Sequence, residues 1–318
     1  MKKNIALIYG GNSSEWQISI QSGKFVASHI DRSRYNVYEV LLRGASWSMD
    51  GKEIDKTDFS VTVNGERIKF DMAFILIHGT PGENGLLQGY LEMLGIPFNT
   101  CSAFVSSLTF DKHSCKRFLD FAGVKMAKDL FIRRGSSYSP AEMARELGLP
   151  LFVKPSSGGS SFGVTKVKHE AELEKAIEEA FKECDSVLVE EAVSGREVTN
   201  GIYRENGKLV VLPVTEIITE REFFDYDAKY LGQSNEVCPA QIPDSLYEKV
   251  RQTTAFIYEY FGCKGLVRMD YMIKGEDVYF LEINTVPGMT PMSLVPGQVR
   301  AAGIDMQHFF TTLIEESF

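Results

Sequence analysis

The chain has 318 residues, too many for one small core, so two or three domains are expected. With 44% hydrophobic and 24% charged residues it has a globular composition, and its formal net charge of −9 argues against a nucleic-acid-binding surface. Its scattered cysteines lack CxxC spacing, which disfavours a disulfide framework or a zinc site, and no apolar run approaches membrane-spanning length. We therefore expect a cytoplasmic protein that binds neither nucleic acid nor membrane.

Short apolar runs and amphipathic runs alternate through the first hundred residues. This alternation predicts an open, mostly parallel α/β sheet, because parallel strands need helical crossovers. Two loops follow predicted strands, where such sheets bind ligands: "YGGNSSE" (9–15) and "HGTPGENG" (78–85). The predicted strands are 4–9, 36–42 and 71–77, and the predicted helices are 19–30 and 85–95.

The pattern changes near residue 100 and again near residue 185, which predicts domains at 1–100, 101–185 and 186–318. One helix has a clear start at Ser139-Pro140, since Ser caps helices and Pro fits the first turn. Strands are predicted at 128–134 and 150–155, in a β-rich stretch ending near 240, and twice within 265–285. Helices are predicted at 110–123, 139–148, 169–183 and 245–262.

The segment "GLVRMDYMIKGEDVYFLEINT" (265–285) predicts a hairpin whose strands are joined at "KGED". Side chains alternate along a strand, so Arg268 and Asp270 share one face of the first strand. Glu282 and Asn284 share one face of the second. If the connecting loop has an odd number of residues, Asp270 lies opposite Glu282 and Arg268 lies opposite Asn284.

Two carboxylates that face each other repel, and two interpretations of the hairpin remove this repulsion. A divalent cation is one of them, because the oxygens of Asp270, Glu282 and Asn284 suit Mg²⁺. In the other, Arg268 neutralises both acids and no metal is needed. The opposite face of the second strand is expected to carry Leu281 and Ile283 together.

A Gly/Ser-rich loop, "PSSGGSSFG" (155–163), follows a predicted strand that ends in Lys154. Its glycines can expose N–H groups to phosphate, although the same composition is typical of a flexible turn. Further along, "FFDYDAKYLG" (223–232) mixes aromatic and charged residues without a clean period. It is either a surface loop or a lid at 222–234 that brings Lys229 and Tyr230 to a site.

Seven segments spread along nearly the whole chain stand out: "GGNSSEWQIS", "HGTPGENGLLQG", "DKHSCK", "VKPSSGGSSFGV", "DYDAKY", "RMDYM" and "EINTVPGMTPMSLVP". They resemble the motifs of the D-alanine–D-alanine ligases of the ATP-grasp superfamily. The resemblance implies a three-domain α/β ATP-grasp fold with ATP held between the central and C-terminal domains. It also implies ATP-driven ligation of two D-alanines through an acyl phosphate, for peptidoglycan synthesis, by a cytoplasmic homodimer.

The resemblance assigns further residues to ATP and to two Mg²⁺ ions, for which Mn²⁺ can substitute. Lysines and a serine would contact the phosphates, two glutamates the adenine and ribose side, and a phenylalanine would stack on adenine. The implied ATP-binding residues are Lys112, Lys154, Ser161, Glu190, Glu197, Phe223 and Lys229. The implied metal ligands are Asp270, Glu282 and Asn284, which agrees with the first interpretation of the hairpin.

The first D-alanine would be bound by residues from three parts of the chain. Glu15 would hold its amino group, oriented through Ser160 and Tyr230, and His78 would lie nearby.

The second D-alanine would meet the C-terminal motif. Ser293 and Leu294 would receive its carboxylate. Arg268 and the backbone N–H of Gly288 would stabilise the tetrahedral oxyanion.

The sequence departs from the common family pattern at Trp16, Gln17, Asn84 and Ala192, which bears on substrate and nucleotide detail. Tyr230 favours D-alanine over D-lactate as second substrate, because D-lactate users tend to have histidine there. The nearest alternative is a ligase of D-alanine with D-lactate or D-serine. Two others are a dinucleotide-binding oxidoreductase, although "YGGNSSE" lacks GxGxxG, and a non-catalytic binding module.

Overall fold

The first sheet lies in the N-terminal part of a computed structural model that describes residues 2–159, 162–218 and 235–318. Its strand order is β6-β5-β4-β3-β2-β1-β7, and only β2, β1 and β7 are parallel. The strands are β1 (Lys3–Gly10), β2 (Tyr35–Arg43), β3 (Ser46–Met49), β4 (Lys52–Asp55), β5 (Ser60–Val63), β6 (Glu66–Lys69) and β7 (Met72–Ile75). Helices α1 (Trp16–His29) and α2 (Leu86–Met93) follow β1 and β7.

The predicted parallel core is therefore confirmed, but the sheet is mixed, because β3 to β6 form an antiparallel meander that was not predicted. Two of its turns have recognisable sequences, Asp50-Gly51 and Asn64-Gly65. All four residues have positive φ, as such two-residue hairpin loops require.

The second sheet has the order β10-β9-β11-β8. Helix α5 (Pro140–Leu147) begins as predicted, since the Ser139 side chain accepts from Glu142 N and Pro140 follows in the first turn. The sheet extends to Glu191, past the predicted boundary at 185; the domain boundaries themselves stay predictions. The elements are α3 (Ala103–Phe110), α4 (Lys112–Asp120), β8 (Asp129–Arg133), α5 (Pro140–Leu147), β9 (Leu151–Pro155), β10 (Thr165–Val167), α6 (Leu173–Glu183) and β11 (Ser186–Glu191).

The third sheet has the order β15-β14-β12-β16-β17, with β13 paired to β12. Its strands are β12 (Arg196–Glu205), β13 (Lys208–Val211), β14 (Thr215–Ile218), β15 (Asn235–Val237), β16 (Val267–Lys274) and β17 (Asp277–Asn284). The helices are α7 (Asp244–Phe261), α8 (Leu294–Ala301) and α9 (Met306–Glu315), the last two not predicted. Phe310 of α9 packs on Phe74 of β7, so the C-terminal helix joins the third sheet to the first. Within the described ranges no helix has the length and apolarity to cross a membrane.

The β16–β17 hairpin has the predicted pairing, but for a different reason. Its loop holds two residues, an even number, since Lys274 pairs with Asp277. The register then shifts between Asp270 and Tyr271, and this bulge supplies the missing residue. As a result Asp270 lies opposite Glu282.

The bulge also corrects the predicted apolar face of β17. Because the alternation resets there, the buried residues are Val278, Phe280 and Ile283. Leu281 does not join Ile283 in the core; it is partly exposed and lines a cleft.

Candidate active site

A cleft between the three sheets collects most of the predicted site residues that the structure describes. It opens at the carboxyl end of β7 and runs between β9, β11 and the β16–β17 hairpin. Five predicted residues, Ser160, Ser161, Phe223, Lys229 and Tyr230, and the loop 222–234 lie outside the described residues. The predicted residues that line the cleft are Glu15, His78, Lys112, Lys154, Glu190, Glu197, Arg268, Asp270, Glu282, Asn284 and Gly288.

Asp270 is the centre of the polar face of the hairpin. Its carboxylate accepts from Arg268 at 2.9 and 2.8 Å and from Thr199 Oγ1 at 2.5 Å. Asn284 Nδ2 also donates to it, at 3.2 Å. The second interpretation of the hairpin had Arg268 neutralise Asp270 and Glu282. The structure shows the pairing of Arg268 with Asp270.

The same face fits a magnesium ion by the chemistry of its donors. Asp270 and Glu282 offer carboxylate oxygens from paired positions, and Asn284 spends its NH₂ group on Asp270, which leaves the amide oxygen to ligate a cation. Among the described residues no three His, Cys, Asp or Glu side chains form a metal-binding group. The expected set has two such residues and an amide.

Glu190 lies among buried charges. Lys116 Nζ donates to it at 2.7 Å and Lys154 Nζ lies 2.5 Å from its other oxygen. Burial raises the pKa of the Glu190 carboxyl, but the two lysine charges outweigh burial and hold this pKa below its ordinary value. The sequence assigned Glu190 to adenine and ribose; here both of its oxygens contact lysines.

Lys116 does not line the cleft but is paired with Glu190, which does, and the sequence prediction did not include it. Its ammonium group is buried and donates to Ala127 O at 2.7 Å, beside Glu190 and Asp129, the latter 2.9 Å away. The available signal was its spacing, since it lies one helical turn after Lys112 on α4.

The Gly/Ser loop that follows β9 is tied to the start of α4. Asp111 accepts from Ser156 Oγ at 2.6 Å and from Ser157 Oγ at 3.0 Å, and Lys112 Nζ donates to Gly158 O at 2.9 Å. A Cβ at Gly159 would lie 3.1 Å from an oxygen of Glu15. The predicted phosphate loop therefore reaches the predicted substrate-binding carboxylate at the start of α1.

The segment 286–289, which we call the acceptor loop, contributes Val286, Pro287 and Gly288 to the lining of the cleft. Val286, Pro287 and Met289 are buried, whereas Gly288 is partly exposed and lines the cleft. A Cβ at Gly288 would lie 3.0 Å from Ser293 Oγ, so Ser293 adjoins the cleft without lining it. The predicted Leu294 is buried beside Ile217.

His78 was expected near the first substrate, and it does line the cleft. Its Nδ1 lies 2.8 Å from Val286 O and its Nε2 lies 3.1 Å from Ser22 Oγ. Burial lowers the pKa of this imidazole. Both ring nitrogens therefore bond to protein groups.

Glu83 also lies here and was not predicted. It accepts from Gly79 N at 2.8 Å and from Val286 N at 3.3 Å. Burial and the nearby Glu15 charge raise the pKa of Glu83 to about 7.

Comparison with known proteins gives one consistent result. Family models described as the D-ala D-ala ligase N-terminus and C-terminus match residues 4–101 and 119–315. The D-alanine--D-alanine ligase of Phocaeicola vulgatus is 48% identical, with all of both chains covered. Among solved structures, the VanG D-Ala:D-Ser ligase of Enterococcus faecalis has a TM-score of 0.89 at 30% identity, covering all of both chains. The D-alanine--D-alanine ligase of Bacillus anthracis complexed with ATP has a TM-score of 0.81 at 30% identity, covering 99% of this chain and 97% of that one.

Proposed function

The chain belongs to the D-alanine–D-alanine ligase family, and from this premise we propose that it joins two D-alanines into D-alanyl-D-alanine, converting ATP to ADP and phosphate. The product would serve peptidoglycan precursor synthesis in the cytoplasm. The observation that carries the proposal is the approach of Gly159 to Glu15. In the proposal, the loop that contains Gly159 binds phosphate and Glu15 binds the amino group, and the cleft that they line also contains Asp270 and Glu282.

In the proposed nucleotide site, Lys112 and Lys154 contact the ATP phosphates and Glu197 contacts the ribose. Glu190 acts on the nucleotide by holding Lys154, which lies 2.5 Å from it. The roles of Ser161, Phe223 and Lys229 in ATP binding rest on the family resemblance alone.

Asp270, Glu282 and Asn284 would hold the Mg²⁺ ions. When bound, these ions neutralise charge on the transferring phosphoryl group. Arg268 pairs with Asp270 at 2.8 Å, which keeps its guanidinium group beside the proposed metal ligands. This cation would stabilise the oxyanion in the second displacement.

The reaction would proceed in two displacements. A carboxylate oxygen of the first D-alanine bonds to the γ-phosphorus of ATP, the bond from phosphorus to the bridging oxygen breaks, and ADP leaves. Glu15 holds the ammonium group of this substrate, oriented by Ser160 and Tyr230.

In the second displacement the ammonium group of the second D-alanine gives one proton to solvent, its nitrogen bonds to the acyl carbon, and a second N–H proton passes to the departing phosphate. Phosphate leaves with the electron pair of the acyl C–O bond. Arg268 and the N–H of Gly288 stabilise the oxyanion, each typically by about 3 kcal/mol. Ser293 and Leu294 receive the carboxylate of this substrate.

The test is phosphate release from Mg-ATP by purified protein with D-alanine, L-alanine or no amino acid, with the dipeptide quantified. Release that requires D-alanine and matches dipeptide formation is expected. D-Serine and D-lactate are offered as second substrates, because the VanG enzyme is a D-Ala:D-Ser ligase. Faster product formation with either one than with D-alanine would change the assigned second substrate and leave the family assignment unchanged.

A variant tests the proposed metal face. Glu282→Gln should abolish turnover because one carboxylate ligand is lost. The control is Asp277→Asn on the same strand, an exposed residue paired with Lys125, which should keep the wild-type rate. Unchanged kcat in Glu282→Gln would contradict the assignment.

We also infer a homodimer from family resemblance, to be measured by light scattering after gel filtration. Monomer across the working concentration range would contradict it.

A further inference from the structure

Three side chains of the N-terminal unit form hydrogen bonds with the acceptor loop or with each other beside it. Ser22 belongs to α1, and His78 and Glu83 follow β7. The loop they contact follows β17 and is more than two hundred residues away in sequence: Ser22 Oγ accepts from Met289 N at 3.1 Å across 267 positions.

The direction of each bond follows from the groups that cannot donate. Val286 O only accepts, so His78 Nδ1 must carry a proton and donate to it, at 2.8 Å. A neutral imidazole then has a bare Nε2, which accepts from the Ser22 hydroxyl at 3.1 Å. The chain therefore runs from Met289 N–H through Ser22 and His78 to Val286 O.

Glu83 completes the arrangement at the other backbone group of Val286, whose N–H lies 3.3 Å from its Oε1. Val286 is thus held at both its N–H and its C=O, and Met289 at its N–H. Between these fixed points lies Gly288, which lines the cleft together with Val286 and Pro287 and is more exposed than either.

We propose that Ser22, His78 and Glu83 act as a positioning clamp that aims the Gly288 N–H at the oxyanion formed on the reacting acyl carbon. The clamp rests on the proposed ligase function and deepens it: His78 positions backbone and does not bind substrate, because neither ring nitrogen remains for a ligand. Preorganised donors of this kind are effective only when they are held in place before the reaction.

Ser19 provides a matched control on the same helix. It is as buried as Ser22, accepts from Gly10 N at 2.8 Å and donates to Leu76 O at 2.7 Å, but all its partners belong to the first sheet. Ser19→Ala and Ser22→Ala therefore lose the same kinds of bond. Only Ser22→Ala loosens the acceptor loop.

The first experiment compares these two variants by steady-state kinetics and thermal unfolding. Both should lower Tm similarly. Ser22→Ala alone should lower kcat by about tenfold with KM for ATP unchanged, the loss of about one positioned hydrogen bond. Equal kcat in the two variants would overturn the clamp.

The second experiment separates the two nitrogens of His78. His78→Asn places an amide N–H near the position of Nδ1 and keeps the bond to Val286 O, whereas His78→Gln reaches toward Ser22 instead. The clamp predicts that His78→Asn retains most of kcat and that His78→Gln loses about tenfold. The reverse order would mean that Nε2 acts on substrate.

A third measurement does not depend on activity. In ¹⁵N NMR of histidine-labelled protein near pH 7, His78 should be neutral with its proton on Nδ1. A proton on Nε2 would overturn the clamp. A wild-type protein that shows this tautomer but makes no dipeptide would keep the clamp and reject the proposed function.

Discussion

The two walls of the cleft are held together by different forces. The wall proposed to bind the nucleotide, which we call the nucleotide wall, has Lys154 and Glu190 at the cleft and Lys116 and Asp129 buried beside them; these groups are paired at 2.5 to 2.9 Å. The acceptor wall, formed by the acceptor loop with Ser22, His78 and Glu83, relies on hydrogen bonds to backbone groups.

The difference indicates how each wall responds to change. A buried charge that loses its partner costs several kcal/mol, whereas a lost neutral hydrogen bond costs about 1–3 kcal/mol. The nucleotide wall should therefore fail by losing stability. Substitutions in the acceptor wall should first displace the Gly288 N–H and lower kcat, while the fold is retained.

The largest expected effect is on the nucleotide wall. Lys116→Met keeps the side-chain volume but removes the cation that Glu190 and Asp129 share, so the free energy of unfolding should fall by about 3–5 kcal/mol in urea. Lys182→Met, in a pair with Glu179 that is 65% exposed at the lysine, should cost less than about 0.5 kcal/mol. Similar losses in both variants would mean that burial of the Lys116 cluster carries no extra energy.

The next effect tests the one carboxylate of the acceptor wall. The pKa of Glu83 is raised to about 7 from 4.5 by burial and by the Glu15 charge, so the folded protein binds this proton more tightly than the unfolded chain. Its stabilising contribution is present below the ordinary pKa and is lost as pH rises through about 7. The full loss is about 3 kcal/mol, from the size of the shift.

Glu83→Gln should remove this pH dependence. Unfolding free energy is measured in urea at about pH 5 and about pH 8. The wild type should lose more stability across that interval than the variant does. The reference is Glu92→Gln, an exposed carboxylate that accepts from Ala103 N at 2.9 Å. A wild-type pH profile that is parallel to the Glu83→Gln profile would contradict the shifted pKa.

A smaller effect tests hydrogen bonds on the nucleotide wall. Asp111→Ala removes the N-cap of α4, whose bond from Ser114 N is 2.8 Å, together with the bonds from Ser156 and Ser157. The expected cost is about 2 kcal/mol, with a raised KM for ATP because the Gly/Ser loop is released. Ser139→Ala, a cap with no loop attached, should lower stability by about 1 kcal/mol and leave this KM unchanged.

The comparison also explains what could be predicted from sequence. Arg268, Asp270 and Glu282 were found by strand alternation, a rule that acts over a few residues. The β-bulge at Leu281 was not, because nothing in the local pattern distinguishes it from a regular strand residue. The odd-loop argument gave the correct pairing only because the bulge replaced the missing loop residue.

The acceptor wall was beyond such rules. Ser22 contacts Met289 across 267 positions, and a serine on an amphipathic helix is equally typical of an ordinary buried position. Glu83 lies within a recognised motif, but its hydrogen bond from Val286 N depends on how the segment after β7 and the segment after β17 are brought together. Contacts set by tertiary packing leave no periodic trace in the sequence.

The smallest predicted effect concerns Trp16, the first residue of α1, which is predicted from the sequence to depart from the common family pattern. The Arg43 guanidinium lies 4.6 Å from the centre of the Trp16 ring and donates to Gly11 O at 2.8 Å. A double-mutant cycle of Trp16→Leu and Arg43→Met should give a coupling of about 0.5–1 kcal/mol in unfolding free energy. Because Trp16 follows Glu15 directly, Trp16→Leu should also raise KM for the first D-alanine more than KM for ATP. A coupling of zero would mean that the Trp16 ring stabilises the fold through its buried apolar area alone, without an attraction to the Arg43 guanidinium.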